Sequence, residues 1–426
     1  SSFHISNFQR DESFAFVDGS NLYKPSSQRF IVLPNEKNAP EGVHCIEAEG
    51  IDTIIHVFKL PEDAIYFLRV EGPTQTTLNG LELLVGEIYT FASGSVLRGP
   101  RMKPVYQSDI VTRYLNQGTE ESIVFSANQI EFRFPNGKPG LHKFSFSETS
   151  GHLIGIMGSS GAGKSTLLNV LNGNERPSSG EVLINGYDVH DPETRGKGLI
   201  GYVSQDDLLM SELTVFENLW FNAKLCFSKA SKTELLRRVQ RTLSELGLLE
   251  IKDLKVGSPL NKTISGGQRK RLNIAMELIR EPTVLFVDEP TSGLSSRDSE
   301  HIMDLLKQLT LKGKLIFVVI HQPSSNIFKM FDKLVLLDTG GYPIYYGNPV
   351  EAVHYVKTLA DHVSARDGEC IECGNINPEQ IFDIIENRVV DEYGKKTAKR
   401  RISPREWNIF FKREQVSVSA KNKEKK

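Results

Sequence analysis

The groups best suited to grip a polyphosphate lie in one glycine-rich run: Gly158, Ser159, Ser160, Gly161, Ala162, Gly163, Lys164, Ser165 and Thr166. Its glycines let the backbone curl so that successive N–H groups point inward at phosphate oxygens. Lys164 is then placed to reach the β- and γ-phosphates, and the Ser165 hydroxyl to sit on Mg²⁺. Four later residues suit phosphate hydrolysis. Asp288 and Glu289 close the apolar run Val284-Leu-Phe-Val287; Asp288 suits Mg²⁺, and Glu289 suits orienting and polarising the attacking water. Gln205 ends Leu199-Ile-Gly-Tyr-Val-Ser204 and could touch Mg²⁺ or that water. His321 ends Leu315-Ile-Phe-Val-Val-Ile320 and could bond a γ-phosphate.

The flanks of these residues predict the elements that hold them. Leu153-Ile-Gly-Ile-Met157 reads as a buried strand and Leu167-Leu-Asn-Val-Leu171 as a helix, which places the glycine run in a strand–loop–helix P-loop unit. Ile123-Val-Phe-Ser126 and Ile130-Glu-Phe-Arg-Phe-Pro135 read as edge strands opening the same domain. Phe134, just ahead of a Pro-Asn-Gly turn, could stack on adenine; a buried edge-strand role is equally open, and Phe132 is a rival. From about Asp206 to Ile264 the pattern turns helical, with 3–4-residue apolar spacing over Thr214–Lys224 and Thr233–Leu246, within a helical subdomain expected over about 206–282. Thr214 with Glu217 predicts a capping box. Ser265, Gly266, Gly267 and Gln268 are positioned to open a helix whose first turn exposes backbone donors, a second anion site.

Taken together these motifs resemble an ABC ATPase over about residues 123 to 347. Val319-Ile-His-Gln-Pro-Ser-Ser325, Phe331-Asp-Lys-Leu-Val-Leu-Leu337, Tyr345-Tyr-Gly-Asn348 and Asn377-Pro378 are similar to elements of the G subfamily of ABC transporters, the White or eye-pigment type. The resemblance implies ATP and Mg²⁺ as cofactors and a head-to-tail dimer with a second nucleotide-binding domain. Lys164, Ser165, Gln205, Asp288, Glu289 and His321 would come from one subunit, and Ser265 to Gln268 from the other. It also implies a membrane-spanning permease domain, C-terminal in the full chain, and a place on the cytoplasmic face of the cell membrane. One departure stands out: Ser295 occupies a position where the family usually has aspartate, and Asp298 lies three residues on.

The expected fold class is therefore an α/β P-loop NTPase with an inserted α-helical subdomain, an N-terminal small all-β domain and a C-terminal helical extension. The N-terminal domain is expected over 1–118, from short β-rich stretches broken by turn signals such as Asn79-Gly80. Thr77 to Gly94 resembles the second half of a forkhead-associated domain, although that family's phosphothreonine-reading elements are not found upstream. Residues 119–122 read as a linker. Over 348–426, Val350–Leu359 and Glu379–Val390 read as amphipathic helices, and the Lys395–Arg401 region with the terminal lysines as a basic, disorder-prone linker. Cys370 and Cys373 form one C-x₂-C pair; zinc would need two more ligands, for which His354 and His362 are the nearby candidates, and packed or free thiols are the alternative.

Composition narrows the classes. Fifty-one Lys+Arg against 53 Asp+Glu leave no global field for nucleic acid. Four scattered cysteines exclude a disulfide framework. No apolar run approaches the ~18–20 residues that cross a bilayer. The start at Ser1 and the lysine-rich end suggest a processed or truncated piece. The expected function is ATP hydrolysis driving transport; the alternatives are a soluble ABC ATPase or a nucleotide-gated signalling adaptor.

Overall fold

The structure, a computed structural model, describes residues 123–196, 198–258, 263–360, 377–393 and 395–424. Of the N-terminal part it describes 16–18, 21–23, 29–33, 44–47, 51, 53–59, 66–91, 95–99, 105–107 and 110. The 119–122 linker, Cys370, Cys373 and His362 lie outside the described residues. The chain divides into two units: residues 1–114 with 370–374, and residues 115–369 with 375–426.

In the first unit, β1 (Phe16–Asp18) pairs with β2 (Asn21–Tyr23). β3 (Arg29–Leu33), β4 (His44–Glu47), β5 (Ile55–Lys59), β6 (Tyr66–Val70) and β9 (Ile88–Thr90) make a five-stranded sheet. β7 (Thr77–Leu78), β8 (Leu81–Glu82), β10 (Val96–Arg98) and β11 (Val105–Tyr106) make a four-stranded one. Asn79 and Gly80, both at positive φ (52° and 83°), close the two-residue β7–β8 turn, the chemistry an Asn-Gly pair favours.

The second unit is built on a six-stranded sheet. Its strands are β14 (Leu153–Gly158), β17 (Ile200–Val203), β18 (Val284–Asp288), β19 (Leu315–Val319), β20 (Lys333–Asp338) and β21 (Tyr342–Gly347), in the order β17-β18-β19-β14-β20-β21. All neighbours pair in parallel except β20 with β21. Every residue of β14, β18 and β19 is buried, because such a sheet is covered on both faces and its strands read as continuous apolar runs. The two faces still alternate. Leu285, Val287, Ile316 and Val318 join one core, and Val284, Phe286, Leu315, Phe317 and Val319 the other. That second core is shared with β12 (Val124–Arg133), β13 (Pro139–Thr149) and β15 (Ser179–Ile184), which with β16 (Tyr187–Asp188) form an antiparallel sheet. The two edge strands expected over 123–126 and 130–135 are one strand, β12, interrupted where Gln129 takes φ 49° and the register slips between Ala127 and Ile130.

The helices are α1 (Lys164–Leu171), α2 (Pro192–Gly196), α3 (Val215–Cys226), α4 (Lys232–Glu245), α5 (Gly266–Leu278), α6 (Ser296–Leu311), α7 (Ser325–Met330), α8 (Pro349–Leu359), α9 (Glu379–Ile385) and α10 (Pro404–Glu424). α3, α4 and α5 fill the helical stretch, packing Leu219, Leu235, Val239 and Leu272 into the first core. The predicted capping box opens α3: Thr214 Oγ1 accepts from Glu217 N–H (3.1 Å), and Glu217 Oε2 accepts from Thr214 N–H (2.8 Å). Thr214→Ala is expected to cost about 1 kcal/mol, visible as a lower urea midpoint; an unchanged midpoint would show that the cap is energetically idle. A buried pair ties α6 to the central strand: Lys307 Nζ donates to Asp332 Oδ1 (2.6 Å), whose Oδ2 accepts from Leu153 N–H (2.7 Å).

The C-terminal part departs from expectation. The helix expected to run to Val390 stops at Ile385, and Arg388–Val390 (β22) pairs with Lys396–Arg400 (β23). Asp391 drives the reversal, its Oδ1 accepting from the N–H groups of Tyr393 (2.9 Å) and Lys395 (2.8 Å). The stretch read as basic linker therefore contains a hairpin strand, followed by α10, which buries Trp407 and Phe411 one turn apart.

Candidate active site

The strand–loop–helix unit forms as predicted. β14 delivers Gly158, α1 begins at Lys164, and Gly161 and Gly163 take left-handed φ of 74° and 90°. A Cβ on Gly163 would fall 2.9 Å from the carbonyl oxygen of Gly140, so conformation and space both require glycine there. Lys164 folds back over the loop, Nζ donating to the carbonyls of Gly158 (2.9 Å) and Ser159 (3.0 Å). Burial pushes its ammonium pKa down, against the pull of Glu289 and Asp288. Ser165 stands exposed on the first turn of α1, with Thr166 half-buried beside it.

Three adjacent parallel strands bring the remaining polar groups together at their carboxyl ends, where open α/β sheets place ligands. β18 ends in Asp288, buried, its carboxyl pushed up by desolvation and then by the neighbouring Glu289 charge. Glu289 follows at φ 45°, with its N–H donating to Val319 O (3.0 Å). Its carboxylate is held from both sides. Gln205, just beyond β17, donates from Nε2 to Oε2 (2.9 Å), and His321, just beyond β19, places Nε2 3.1 Å from Oε1. A cavity of ≈ 370 Å³ opens beside this cluster, bounded by Glu289, Ser292, Leu294 and His321. A larger groove of ≈ 1170 Å³, between Phe146, Tyr346, Tyr355 and Phe411, includes none of these residues.

Phe132 and Phe134 part company. Phe132 is 7% exposed and belongs to the core, whereas Phe134 is 42% exposed with its ring edge-on to Phe132 at 5.4 Å. Phe134 also closes over Gly140, whose carbonyl oxygen would lie 2.9 Å from a Cβ on Gly163 of the glycine loop.

Ser265 to Gln268 lie elsewhere. Ser265 caps α5 in a second capping box: its Oγ accepts from Gln268 N–H (3.2 Å), and Gln268 Oε1 accepts from Ser265 N–H (2.8 Å). Among the described residues, no hydrogen bond joins this turn to the phosphate loop or to Glu289. Its glycines instead admit the segment after Glu289. A Cβ on Gly266 would stand 3.0 Å from Leu294, and one on Gly267 2.9 Å from Asp298 Oδ1. Ser295 caps α6, accepting from Asp298 N–H (3.2 Å) and donating to Asp298 Oδ2 (2.8 Å).

Lys270, one turn into α5, has a part that its position in the sequence did not disclose. Its Nζ donates to the carbonyls of Gln205 (2.8 Å) and Ser204 (3.3 Å), anchoring the Gln205 loop to the glycine helix. Arg269 adds a bond to Gly257 O (2.6 Å) and a contact to Asp207 (3.4 Å). The run of three cations at 269–271 was the available signal. No group of three or more candidate metal ligands occurs among the described residues, and the Cys370/Cys373 pair lies outside them.

A parallel sheet with a phosphate loop on one inner strand, an acidic pair two strands away, and glutamine and histidine on the strands either side of that pair defines an ATP-binding-cassette ATPase. Residues 141–292 match the family model described as ABC transporter, and residues 321–418 match one described as ABC-2 type transporter. The chain is 40% identical over 278 residues to the broad substrate specificity ATP-binding cassette transporter ABCG2 of Rattus norvegicus, covering 64% of this chain and 38% of that one. It is 41% identical over 239 residues to ABC transporter G family member 25 of Oryza sativa subsp. japonica (55% and 23% covered). Among solved structures it is similar to cbiO1 of Clostridium perfringens, part of the ABC transporter complex cbiONQ, with TM-score 0.50 and 26% identity over 57% of this chain and 96% of that one. The chain thus carries an ABC-transporter ATP-binding domain homologous to those of G, or White, subfamily members. It spans well under half the length of the curated relatives named here. The second match runs from His321, ahead of α7, into α10, and no described helix is long and apolar enough to cross a membrane.

Proposed function

We propose that the protein containing this chain couples ATP hydrolysis to movement of a substrate across a membrane, with 123–347 as the nucleotide-binding domain. The helical subdomain is 206–282, 1–118 is an accessory domain, and 348–426 leads toward a C-terminal permease at the cytoplasmic membrane face. The observation that carries this reading is the Glu289 carboxylate, held between Gln205 and His321 at the ends of three adjacent strands. A merely structural acid at a strand end has no need of two such partners.

In this reading Phe134 stacks on adenine, and Gly158 to Thr166 wrap the phosphates. Lys164 exchanges its two carbonyl partners, Gly158 O and Ser159 O, for β- and γ-phosphate oxygens. Ser165, Gln205 and Asp288 present hydroxyl, amide and carboxylate oxygens, a hard donor set that fits Mg²⁺ and spares the buried Asp288 its desolvation. When bound, the ion neutralises charge on the phosphates. Glu289 aligns one water and takes its proton as the water oxygen bonds to the γ-phosphorus and the bond to the bridging β,γ-oxygen breaks, giving ADP and phosphate. His321 turns from Glu289 to the γ-phosphate. Ser265, Gly266, Gly267 and Gln268 close over the nucleotide of a second copy, so the site is complete only in a head-to-tail dimer. ATP-driven closure and release then bias the permease between two states.

The test is the reading frame beyond Lys426. It is expected to enter several apolar stretches of ~20 residues each. A stop codon there, with no adjacent permease gene, would overturn the transport reading.

A further inference from the structure

The turn between β20 and β21 touches three parts of the cassette at once. Toward the phosphate loop, Gly340 N–H approaches Gly161 O (3.4 Å), and Thr339 Oγ1 lies 3.3 Å from Ser159 Oγ. Toward β13, Gly341 O accepts from His142 N–H (2.8 Å). Toward the C-terminal hairpin, Arg400 on β23 donates from Nη1 to Asp338 Oδ1 (2.6 Å) and from Nη2 to Thr339 Oγ1 (3.2 Å).

The middle of this arrangement is a buried charge. The Asp338 side chain is fully shielded from solvent; Oδ1 also accepts from Thr339 N–H (2.7 Å), and Oδ2 has no partner. A carboxylate so placed depends on its cation, and Arg400 supplies the positive charge from a hairpin strand 62 residues further along the chain. Arg400 has only donors, so Thr339 Oγ1 must accept from it. Thr339 Oγ1 keeps a second lone pair and its own proton, so either hydroxyl can donate in its contact with Ser159 Oγ. Ser159 in turn offers its carbonyl to Lys164 Nζ. The contacts run without a gap from Arg400 through Thr339 and Ser159 to the phosphate-binding lysine.

We infer that Arg400 is a positioning residue of the nucleotide site, acting through Asp338 and Thr339 to hold the first residues of the phosphate loop. The inference rests on the reading of that loop as an ATP site. Arg400 lies outside residues 141–292, within the 321–418 segment matched to the ABC-2 type model. The chain leaving the cassette thus reaches back to the nucleotide, and by linkage the nucleotide must steady that hairpin.

The experiment measures binding of trinitrophenyl-ATP and steady-state hydrolysis by the full-length protein, with Arg400→Gln, Thr339→Val and the two combined. Thr339→Val keeps the Arg400–Asp338 pair and removes only the bridging hydroxyl, so it decides the matter even if Arg400→Gln fails to fold. Each single variant is expected to raise Kd and KM about five-fold. Turnover of Thr339→Val at saturating ATP should stay at the wild-type value, and the double variant should bind no worse than Arg400→Gln alone. Wild-type affinity in Thr339→Val, or multiplicative effects in the double variant, would overturn the inference. Failure of the wild type to bind the probe would instead remove the ATP-site reading itself.

Discussion

Glu289→Gln is expected to bind ATP with near wild-type affinity while hydrolysing it about 10²–10⁴-fold more slowly. The substitution is nearly isosteric, and the local network can absorb it. The new amide keeps one oxygen to accept from Gln205 Nε2, now 2.9 Å away, and offers an N–H to His321 Nε2 when that ring presents a bare nitrogen. What disappears is a group able to take the water's proton. In the proposed reading binding rests on other residues, Lys164 and the loop glycines, so the two effects should separate. Nucleotide should accumulate on the variant, and an ATP-dependent dimer should persist on gel filtration where the wild type's decays. Undiminished turnover would remove Glu289 from the reaction and leave its two partners unexplained.

Much of this site was legible because parallel strands announce themselves. Val284–Val287 and Leu315–Val319 are continuous apolar runs, and in such a sheet the first polar residue after each run stands at the carboxyl edge. Asp288, Glu289 and His321 are those residues. Their mutual contacts were not legible, because strand order is a tertiary fact: β17, β18 and β19 are neighbours only once the sheet closes. The same limit hid Lys270, whose partners Ser204 and Gln205 lie 65 or more residues away. In the C-terminal part the failure was local. Charges dense enough to suggest a solvated linker obscured Trp407 and Phe411, one turn apart, which α10 buries while Asn408 donates to Pro343 O (2.6 Å). The hairpin before it turns on Asp391, whose short-range bonds outweigh the helical spacing that was read through to Val390.

The sharper question is whether the glycine turn at α5 belongs to its own chain's site or to a partner's, and Gly267→Val should answer it. Gly266 and Gly267 open α5, where unpaired N–H groups and the helix dipole favour an anion. A side chain at 267 would meet Asp298 Oδ1 and obstruct approach to those N–H groups. Because, among the described residues, this turn makes no hydrogen bond to the phosphate loop of its own chain, the variant should load ATP normally yet lose turnover by about 10²–10³-fold, as when donors to a reacting anion are removed. Lys164→Ala should fail in the opposite way, losing ATP binding while keeping an intact turn. Mixed together, the two inactive proteins can pair so that one site combines an intact phosphate loop from the Gly267→Val protomer with an intact turn from the Lys164→Ala protomer. The opposite site carries both defects. With random pairing and independent sites, the mixture should regain about a quarter of the wild-type rate. A mixture no more active than its components would mean that each chain builds its site alone, and the head-to-tail dimer would have to be abandoned.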